Sequence, residues 1–254
     1  MPKPAPSGPR TAFLDTETSP SIVAVYNHFM RGGGSNVLWT VQPWHFFSFS
    51  YQWLGEKKIH THSLTDYPSF DNDIHDDRAL CQDLWRVLDE ATHVIAHNGD
   101  RFDIKKTNTR FLLHRLPIYS PVISIDTLKI AKRYFAFDSN RLDYLGRDLG
   151  VGRKVETKSR LNQRCFNGDR SAFKEMCRYN EHDVRLLADV YGPMAPYHKT
   201  HPDLSGFNGN CPVCQSSNVQ QRGFNVSRAG KKPRFQCQDC SHWWSAGKNI
   251  KEAA

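Results

Sequence analysis

The chain has 254 residues, 39% of them hydrophobic and 24% charged, which is typical of a folded globular protein and excludes a disordered chain. This length allows one domain with a full hydrophobic core plus a small appendage. The net charge of +8 favours polyanionic partners, and no apolar run approaches the roughly 20 residues of a membrane span. Residues 1–10 contain no apolar signal segment, so we expect no membrane association and a cytoplasmic protein of a bacterial or phage-infected cell.

In chain order, the predicted elements follow a disordered tail at residues 1–10 and alternate between strands and helices. Predicted strands cover residues 11–19, 46–53, 58–63 and 93–96, with a glycine-rich loop at residues 31–35. Predicted helices cover residues 76–91, 103–114, 125–135, 142–149 and 171–191, the last ending at Gly192-Pro193. This order predicts an α/β domain over residues 11–197, with a mixed sheet flanked by helices.

Acidic residues end the first predicted strand. Asp15 and Glu17 are two apart, so in a strand their side chains point to the same face. Burying both without compensation is costly, and a hard divalent cation such as Mg²⁺ or Mn²⁺ relieves the repulsion. An ordinary exposed strand end is the alternative interpretation of these two residues.

Two further segments carry candidate ligands. Asp103 follows the strand at residues 93–96, where α/β folds usually place ligand chemistry, although it is also a candidate helix N-cap. Tyr179 and Asp183 are four apart on the last helix and therefore share one face, where simple packing is the alternative. Asp126 is expected to cap the helix that follows it.

The three segments together resemble the exonuclease motifs of the DEDD (DnaQ-like) superfamily over residues 11–191. The Tyr-x-x-x-Asp spacing resembles the tyrosine (DEDDy) subfamily, which includes proofreading domains of family A and B DNA polymerases and the RNase D group. Residues 48–55 (Ser-Phe-Ser-Tyr-Gln-Trp-Leu-Gly) and 125–128 (Ile-Asp-Thr-Leu) are similar to stand-alone phage and bacterial members. The histidine subfamily places its catalytic histidine where this chain has Arg178, and His182 is turned roughly 100° from Asp183.

The resemblance implies a ribonuclease H-like fold and a 3′→5′ exonuclease that uses two Mg²⁺ or Mn²⁺ ions. It implies catalytic roles for Asp15, Glu17, Asp103, Tyr179 and Asp183, the four acids as metal ligands and the tyrosine as the group that orients the attacking water. Tyrosine is a poor base at neutral pH because its reference pKa is near 10. Thr16, Thr18, Asn98 and Phe102 are candidates for the 3′-end pocket. Lys154 and Lys158 are candidates for phosphate contact, with a solvated face as the favoured alternative.

The C-terminal part carries a second predicted metal site. Cys211/Cys214 and Cys237/Cys240 form two Cys-x-x-Cys pairs, which predict one structural Zn²⁺ in a zinc ribbon within residues 198–254. Residues 198–254 hold eight basic and three acidic side chains, a net charge of +5. Basic residues between the pairs form a predicted hairpin suited to phosphate: Arg222, Arg228, Lys231, Lys232 and Arg234. Trp243 and Trp244 are candidates for base stacking or for packing within the ribbon.

The sequence therefore predicts an exonuclease that acts on nucleic-acid 3′ ends, DNA favoured, and releases nucleoside 5′-monophosphates. The ribbon is expected to bind nucleic acid or a replication or repair protein. An RNase D-like enzyme that trims RNA 3′ ends is one alternative. A non-catalytic nucleic-acid-binding protein on the same fold is the other.

Overall fold

The computed structural model describes residues 8–26, 37–155, 160–227 and 230–245. Its strands are β1 Thr11–Thr18, β2 Ile22–Val25, β3 Val37–Gln42, β4 Phe46–Trp53, β5 Ile59–Ser63, β6 His93–Ala96, β7 Ile123–Asp126, β8 Val219–Ser227, β9 Gly230–Cys237 and β10 Trp243–Ser245. Its α-helices are α1 Arg78–Glu90, α2 Asp103–Leu113, α3 Thr127–Tyr134, α4 Leu142–Asp148, α5 Leu161–Phe166 and α6 Arg170–Met194. Predicted features at residues 1–7 and 31–35, Lys158 and Arg228 lie outside the described residues.

A five-stranded mixed sheet in the order β5-β4-β1-β6-β7 forms the centre of the fold. Strand β1 occupies the middle position, antiparallel to β4 and parallel to β6. Its side chains alternate between the two faces: Ala12 and Leu14 join a core cluster with α1, whereas Phe13 joins another with α4 and the end of α6. This confirms the predicted α/β class with a ribonuclease H-like mixed sheet flanked by helices.

The predicted helix at residues 125–135 is wrong at its start. Residues Ile123–Asp126 form β7, which pairs in parallel with β6, and the helix begins at Thr127. Four residues are too few for the period-2 pattern of a strand to be recognised in the sequence. Their strand conformation is determined by pairing with the buried strand β6. Asp126 caps α3 as predicted, because its carboxylate accepts a hydrogen bond of 3.0 Å from the Leu128 amide.

The last helix is longer than predicted. It extends past Gly192-Pro193 to Met194 and begins at Arg170, where the Asp169 carboxylate accepts hydrogen bonds from two amides of the first turn. A proline in the final turn removes a single backbone hydrogen bond, and the Met194 side chain is fully buried, so packing offsets that loss.

A two-stranded hairpin of β2 and β3 and the short helix α5 were not predicted. The hairpin exposes apolar side chains that the sequence pattern did not distinguish from loop, among them Trp39 at 61% exposure. None of the helices in the described part of the chain is long and apolar enough to cross a lipid bilayer.

The C-terminal module is a three-stranded antiparallel sheet in the order β10-β9-β8, which confirms the predicted hairpin between the cysteine pairs. Cys211, Val213 and Cys237 belong to the same buried cluster as Val190 and Met194 at the end of α6. The module therefore packs against the α/β domain, and the domain boundary at residue 197 stays a prediction.

Candidate active site

Three carboxylates from distant parts of the chain meet beside the central sheet. Asp15 and Glu17 come from β1 and Asp183 from α6, and one ligand atom of each lies within 4.8 Å of the others. Asp183 is 1% exposed, and its Oδ1 is buried without a hydrogen-bond partner among the described residues. A buried carboxylate oxygen that lacks a donor fits a cation ligand, and an all-oxygen set suits Mg²⁺ or Mn²⁺.

Burial and mutual repulsion raise the pKa values of these carboxylates. Burial, followed by repulsion from Asp183, raises the pKa of Glu17 to about 7. Burial, followed by repulsion from Glu17, raises the pKa of Asp15. A bound divalent cation would favour the ionised forms, so the electrostatics of the site fit a metal centre.

A buried amide orients the first carboxylate. Asn180 is fully buried on α6, and its Nδ2 donates a 2.5 Å hydrogen bond to Asp15 Oδ2. Its Oδ1 accepts a weaker hydrogen bond of 3.4 Å from the Ser48 hydroxyl on β4. Sequence reasoning missed both residues. The signal for Asn180 is its position three residues before Asp183, which places it on the same side of the helix.

Asp103 reaches the site from the other side of β1. It is the first residue of α2, and its Oδ1 accepts hydrogen bonds from the Thr16 amide at 3.0 Å and the Thr16 hydroxyl at 2.6 Å. Burial raises its pKa to about 6 despite these donors, and its charge in turn raises the pKa of Asp15. The charge of Asp103 therefore acts on the carboxylate cluster. Asp103 is not one of the three residues whose carboxylate oxygens lie within 4.8 Å of one another.

Lys154 lies between the tyrosine and the last aspartate. Its Nζ donates to the Tyr179 hydroxyl at 3.0 Å and also to Asp183 Oδ2. Burial alone would lower the pKa of Lys154, but Asp183 and Tyr179 raise it above its usual value. Burial raises the pKa of Tyr179 to about 12. The interpretation of Lys154 as a solvated surface residue is therefore wrong.

Next to the carboxylates, the predicted 3′-end residues are held in place. Thr18 Oγ1 accepts a 2.7 Å hydrogen bond from Lys106 Nζ, which also lies 4.5 Å from the Phe102 ring centroid. Asn98 adopts a left-handed turn with φ of 64°, and its amide donates to Asp126 Oδ1 at 2.9 Å. Phe102 is 39% exposed, so part of its side chain is accessible. Sequence reasoning missed Lys106.

His182 and an open cleft border the site. His182 Nε2 lies 2.6 Å from the Arg153 carbonyl oxygen, so this ring nitrogen has a partner outside the carboxylate group. A cleft of about 720 Å³ adjoins the carboxylates through Lys154, and its walls include Asn98, Leu128, Arg141 and Asp143. Its size falls within the roughly 300–1,000 Å³ of ligand sites.

The four predicted zinc ligands converge. The Sγ atoms of Cys211, Cys214, Cys237 and Cys240 all lie within 4.8 Å of one another, and the Cys211–Cys240 and Cys214–Cys237 pairs are 3.6 Å apart. Zn–S bonds of about 2.3 Å in a tetrahedron place sulfurs about 3.8 Å apart, so the four thiols fit one Zn²⁺. His242 lies outside the set because its Nδ1 pairs with the Pro196 carbonyl oxygen at 2.8 Å.

The two ribbon tryptophans have different environments. Trp244 stacks against Phe235 and His242 with ring centroids 5.7 and 6.1 Å away, so it packs within the ribbon. Trp243 is 43% exposed and lies 5.0 Å from the Arg234 guanidinium carbon.

The buried carboxylate of Asp77 has a structural role. Asp77 is fully buried, its Oδ2 accepts from Arg110 Nε at 2.8 Å and from the Phe46 amide at 2.9 Å, and its Oδ1 pairs with His114. These partners already satisfy the carboxylate, so we interpret the group as a structural ion pair between β4, α1 and α2.

Comparisons with known proteins agree with this fold and geometry. A sequence profile of the RNase H superfamily (RNase_H_2) matches residues 45–195, more than half of the chain. The chain therefore belongs to the RNase H superfamily.

Among solved structures, the fold is similar to the family B DNA polymerase from the hyperthermophilic archaeon Pyrobaculum calidifontis, with a TM-score of 0.52 and 14% sequence identity. The similarity covers 83% of this chain and 27% of the polymerase, so the chain spans about a quarter of the length of that protein. No curated protein matches the sequence significantly.

Proposed function

We propose that this protein is a two-metal 3′→5′ exonuclease of the DEDDy type that releases nucleoside 5′-monophosphates, with DNA as the favoured substrate. The observation that carries the proposal is the convergence of Asp15, Glu17 and Asp183 around a buried unpartnered carboxylate oxygen, with the Tyr179 hydroxyl alongside. The similarity to a DNA polymerase supports DNA over RNA, and superfamily membership supports a nuclease over a non-catalytic binding protein.

In this proposal, Asp15, Glu17, Asp103 and Asp183 hold two Mg²⁺ or Mn²⁺ ions, which supply charge neutralisation and a water of lowered pKa when bound. Asn180 fixes the orientation of Asp15, and Thr16 fixes that of Asp103.

Tyr179 keeps its proton at neutral pH because burial raises its pKa to about 12, so it orients the attacking water by hydrogen bonding. Lys154 holds the phenol in position and offers a positive charge for the phosphate. Phe102 and Lys106 offer an aromatic face and an ammonium group for the terminal nucleotide, and Asn98 and Thr18 lie beside them.

The ribbon is proposed to hold one structural Zn²⁺ and to bind nucleic acid or a replication or repair protein. Lys231, Lys232 and Arg234 on β9 give it a positively charged strand, and Phe224 on β8 lies 4.4 Å from Lys231 Nζ.

The test of the activity uses single-stranded DNA and RNA of the same sequence, labelled at the 5′ end, with and without Mg²⁺. We expect stepwise shortening from the 3′ end, release of 5′-mononucleotides, faster reaction on DNA and no reaction on a strand with a blocked 3′ end. Faster reaction on RNA would favour the RNA-trimming alternative, and no reaction on either would favour a binding protein.

A matched pair of substitutions on α6 tests the site. Asp183→Asn removes a proposed ligand, and we expect activity to fall by at least about 100-fold. Asp189→Asn alters an exposed carboxylate on the same helix and should leave activity unchanged. Equal activity of both variants would remove Asp183 from the site.

A further inference from the structure

A groove of about 800 Å³ separates the C-terminal end of α6 from the cysteine module. Two large aromatic side chains line it and remain accessible, Tyr197 at 60% exposure and Trp243 at 43%. Single apolar residues on a surface are common, but two aromatic rings in one concave surface indicate a site for a planar ligand.

Both rings are held by neighbouring residues. The Tyr197 ring packs edge-on against Phe135, with ring centroids 5.0 Å apart. Trp243 is fixed by strand pairing between β10 and β9 opposite Gln236 and by the nearby Arg234 guanidinium. A ring supported in this way loses little conformational entropy when a ligand stacks on its free face.

The two walls of the groove are tied together. His242, next to Trp243, pairs through Nδ1 with the carbonyl oxygen of Pro196, next to Tyr197, at 2.8 Å. The Tyr191 hydroxyl and His201 Nε2 form a second tie at 2.7 Å between α6 and the segment that leads to the module. The spacing of the two aromatic rings is therefore set before any ligand binds.

Charge around the groove favours an anionic ligand. Lys199 lines it and is exposed, and exposed Arg234 lies over Trp243. The Asp239 carboxylate also lines it, but accepts hydrogen bonds from Ser216 and Asn218. Residues 198–254 carry a net charge of +5.

We propose that this groove binds single-stranded nucleic acid, with bases stacked on Tyr197 and Trp243 and backbone phosphates near Lys199 and Arg234. A duplex hides the faces of its bases, whereas a single strand presents them to aromatic rings. The inference rests on the proposed binding role of the ribbon and names where on the molecule the strand lies.

The test uses a circular single-stranded oligonucleotide, which has no 3′ end for the exonuclease site. Binding is measured by fluorescence anisotropy with the full chain carrying Asp15→Asn, with Tyr197→Leu and Trp243→Leu added singly. We expect each added substitution to weaken binding about tenfold, because base–aromatic stacking contributes this much per base. Lys199→Ala should reduce the slope of log affinity against log salt by about 0.7.

Trp39→Leu, at an exposed tryptophan on β3, is the control and should leave the affinity unchanged. Unchanged zinc content and circular dichroism would show that each variant is folded. Affinities within twofold of the parent for both groove variants would overturn the proposal.

Two further outcomes separate this inference from the proposed functions. If Lys232→Ala weakens binding of the circle and the groove variants do not, the ribbon binds nucleic acid through its hairpin and the groove is excluded. If the circle does not bind while the unmodified chain hydrolyses a linear strand, the exonuclease stands and the groove proposal fails.

Discussion

At the scale of single residues, Lys154 supplies a positive charge that partly neutralises the carboxylate cluster when no cation is bound. Its ammonium group contacts Asp183 and Tyr179, two groups from the same face of α6. The ammonium holds Asp183 Oδ2, so a cation bound to the unpartnered Oδ1 would share this carboxylate with Lys154. Lys154 therefore couples metal binding to the position of the tyrosine hydroxyl.

We predict that Lys154→Met lowers kcat by about 100-fold, since it removes a positive charge at the reacting phosphate. The concentration of Mg²⁺ that gives half-maximal activity should not rise, because a positive charge that repels the cation is lost. Steady-state kinetics at several Mg²⁺ concentrations measures both quantities. Lys174→Met, at an exposed lysine of α6, serves as the control. A raised Mg²⁺ requirement would contradict this account of Lys154.

His45 is a residue at which folding and protonation are linked. Burial, followed by repulsion from His75, lowers its pKa from 6.5 to about 4. Its Nδ1 lies 3.1 Å from the Ser19 hydroxyl, and its Nε2 is buried without a partner in the described part of the chain. A second proton on the ring would therefore place a positive charge beside a buried nitrogen that has no hydrogen-bond partner.

Between pH 6.5 and 4, the unfolded chain binds a proton at His45 that the folded chain does not, so stability falls as the pH falls through this window. The lowered pKa corresponds to roughly 3 kcal/mol over the whole window. We predict that His45→Gln flattens the dependence of the free energy of unfolding on pH, measured by urea titration at pH 7, 6 and 5. A common slope for the parent chain and His45→Gln would contradict the prediction.

At the scale of elements, the buried ion pair of Asp77 and Arg110 connects the start of α1 to α2, and the Phe46 amide adds the start of β4. An exposed ion pair between Arg170 and Asp71 offers a natural comparison, with side chains 50% and 74% exposed. In the buried pair, water has little access to replace a lost partner. In the exposed pair, water can do so.

We predict that Asp77→Asn lowers the free energy of unfolding by about 3–5 kcal/mol, because it leaves a buried guanidinium without its carboxylate. Asp71→Asn should cost no more than about 1 kcal/mol. Chemical denaturation monitored by tryptophan fluorescence compares the two variants directly. Similar losses for both would show that burial does not decide the strength of these pairs.

At the scale of the whole molecule, the cysteine module and the RNase H-like domain share a core. Cys211 and Cys237 are fully buried in the cluster that contains Val190, Tyr191 and Met194. The module has little apolar core of its own, so the proposed Zn²⁺ would contribute much of its folding free energy. Loss of zinc should therefore disturb the end of α6 as well as the ribbon.

We predict one Zn²⁺ per chain by native mass spectrometry, absent in Cys237→Ser and retained in Cys177→Ser, whose cysteine lies outside the cluster. Hydrogen exchange of the zinc-free chain should rise in β8, β9 and the last turns of α6, while β1, β4 and β6 keep their protection. Unfolding of the central sheet without zinc would contradict this division.

Three short motifs, taken together, identified Asp15, Glu17, Asp103, Tyr179 and Asp183 as candidates, and short patterns also gave the two Cys-x-x-Cys pairs and the bounds of β4 and β6. Motif spacing, hydrophobic period and Cys-x-x-Cys pairs all lie within a few neighbouring residues, so sequence alone determines them. Which of the candidates bind metal stays a prediction.

Only the tertiary structure decided what surrounds those residues. Asn180 meets Asp15 across 165 positions, Thr16 meets Asp103 across 87, and Lys154 meets Asp183 across 29. The pairing of β7 with β6 and the groove between Tyr197 and Trp243 likewise join segments that are apart in the chain. Such contacts depend on how whole elements pack, because no short stretch of sequence contains both partners.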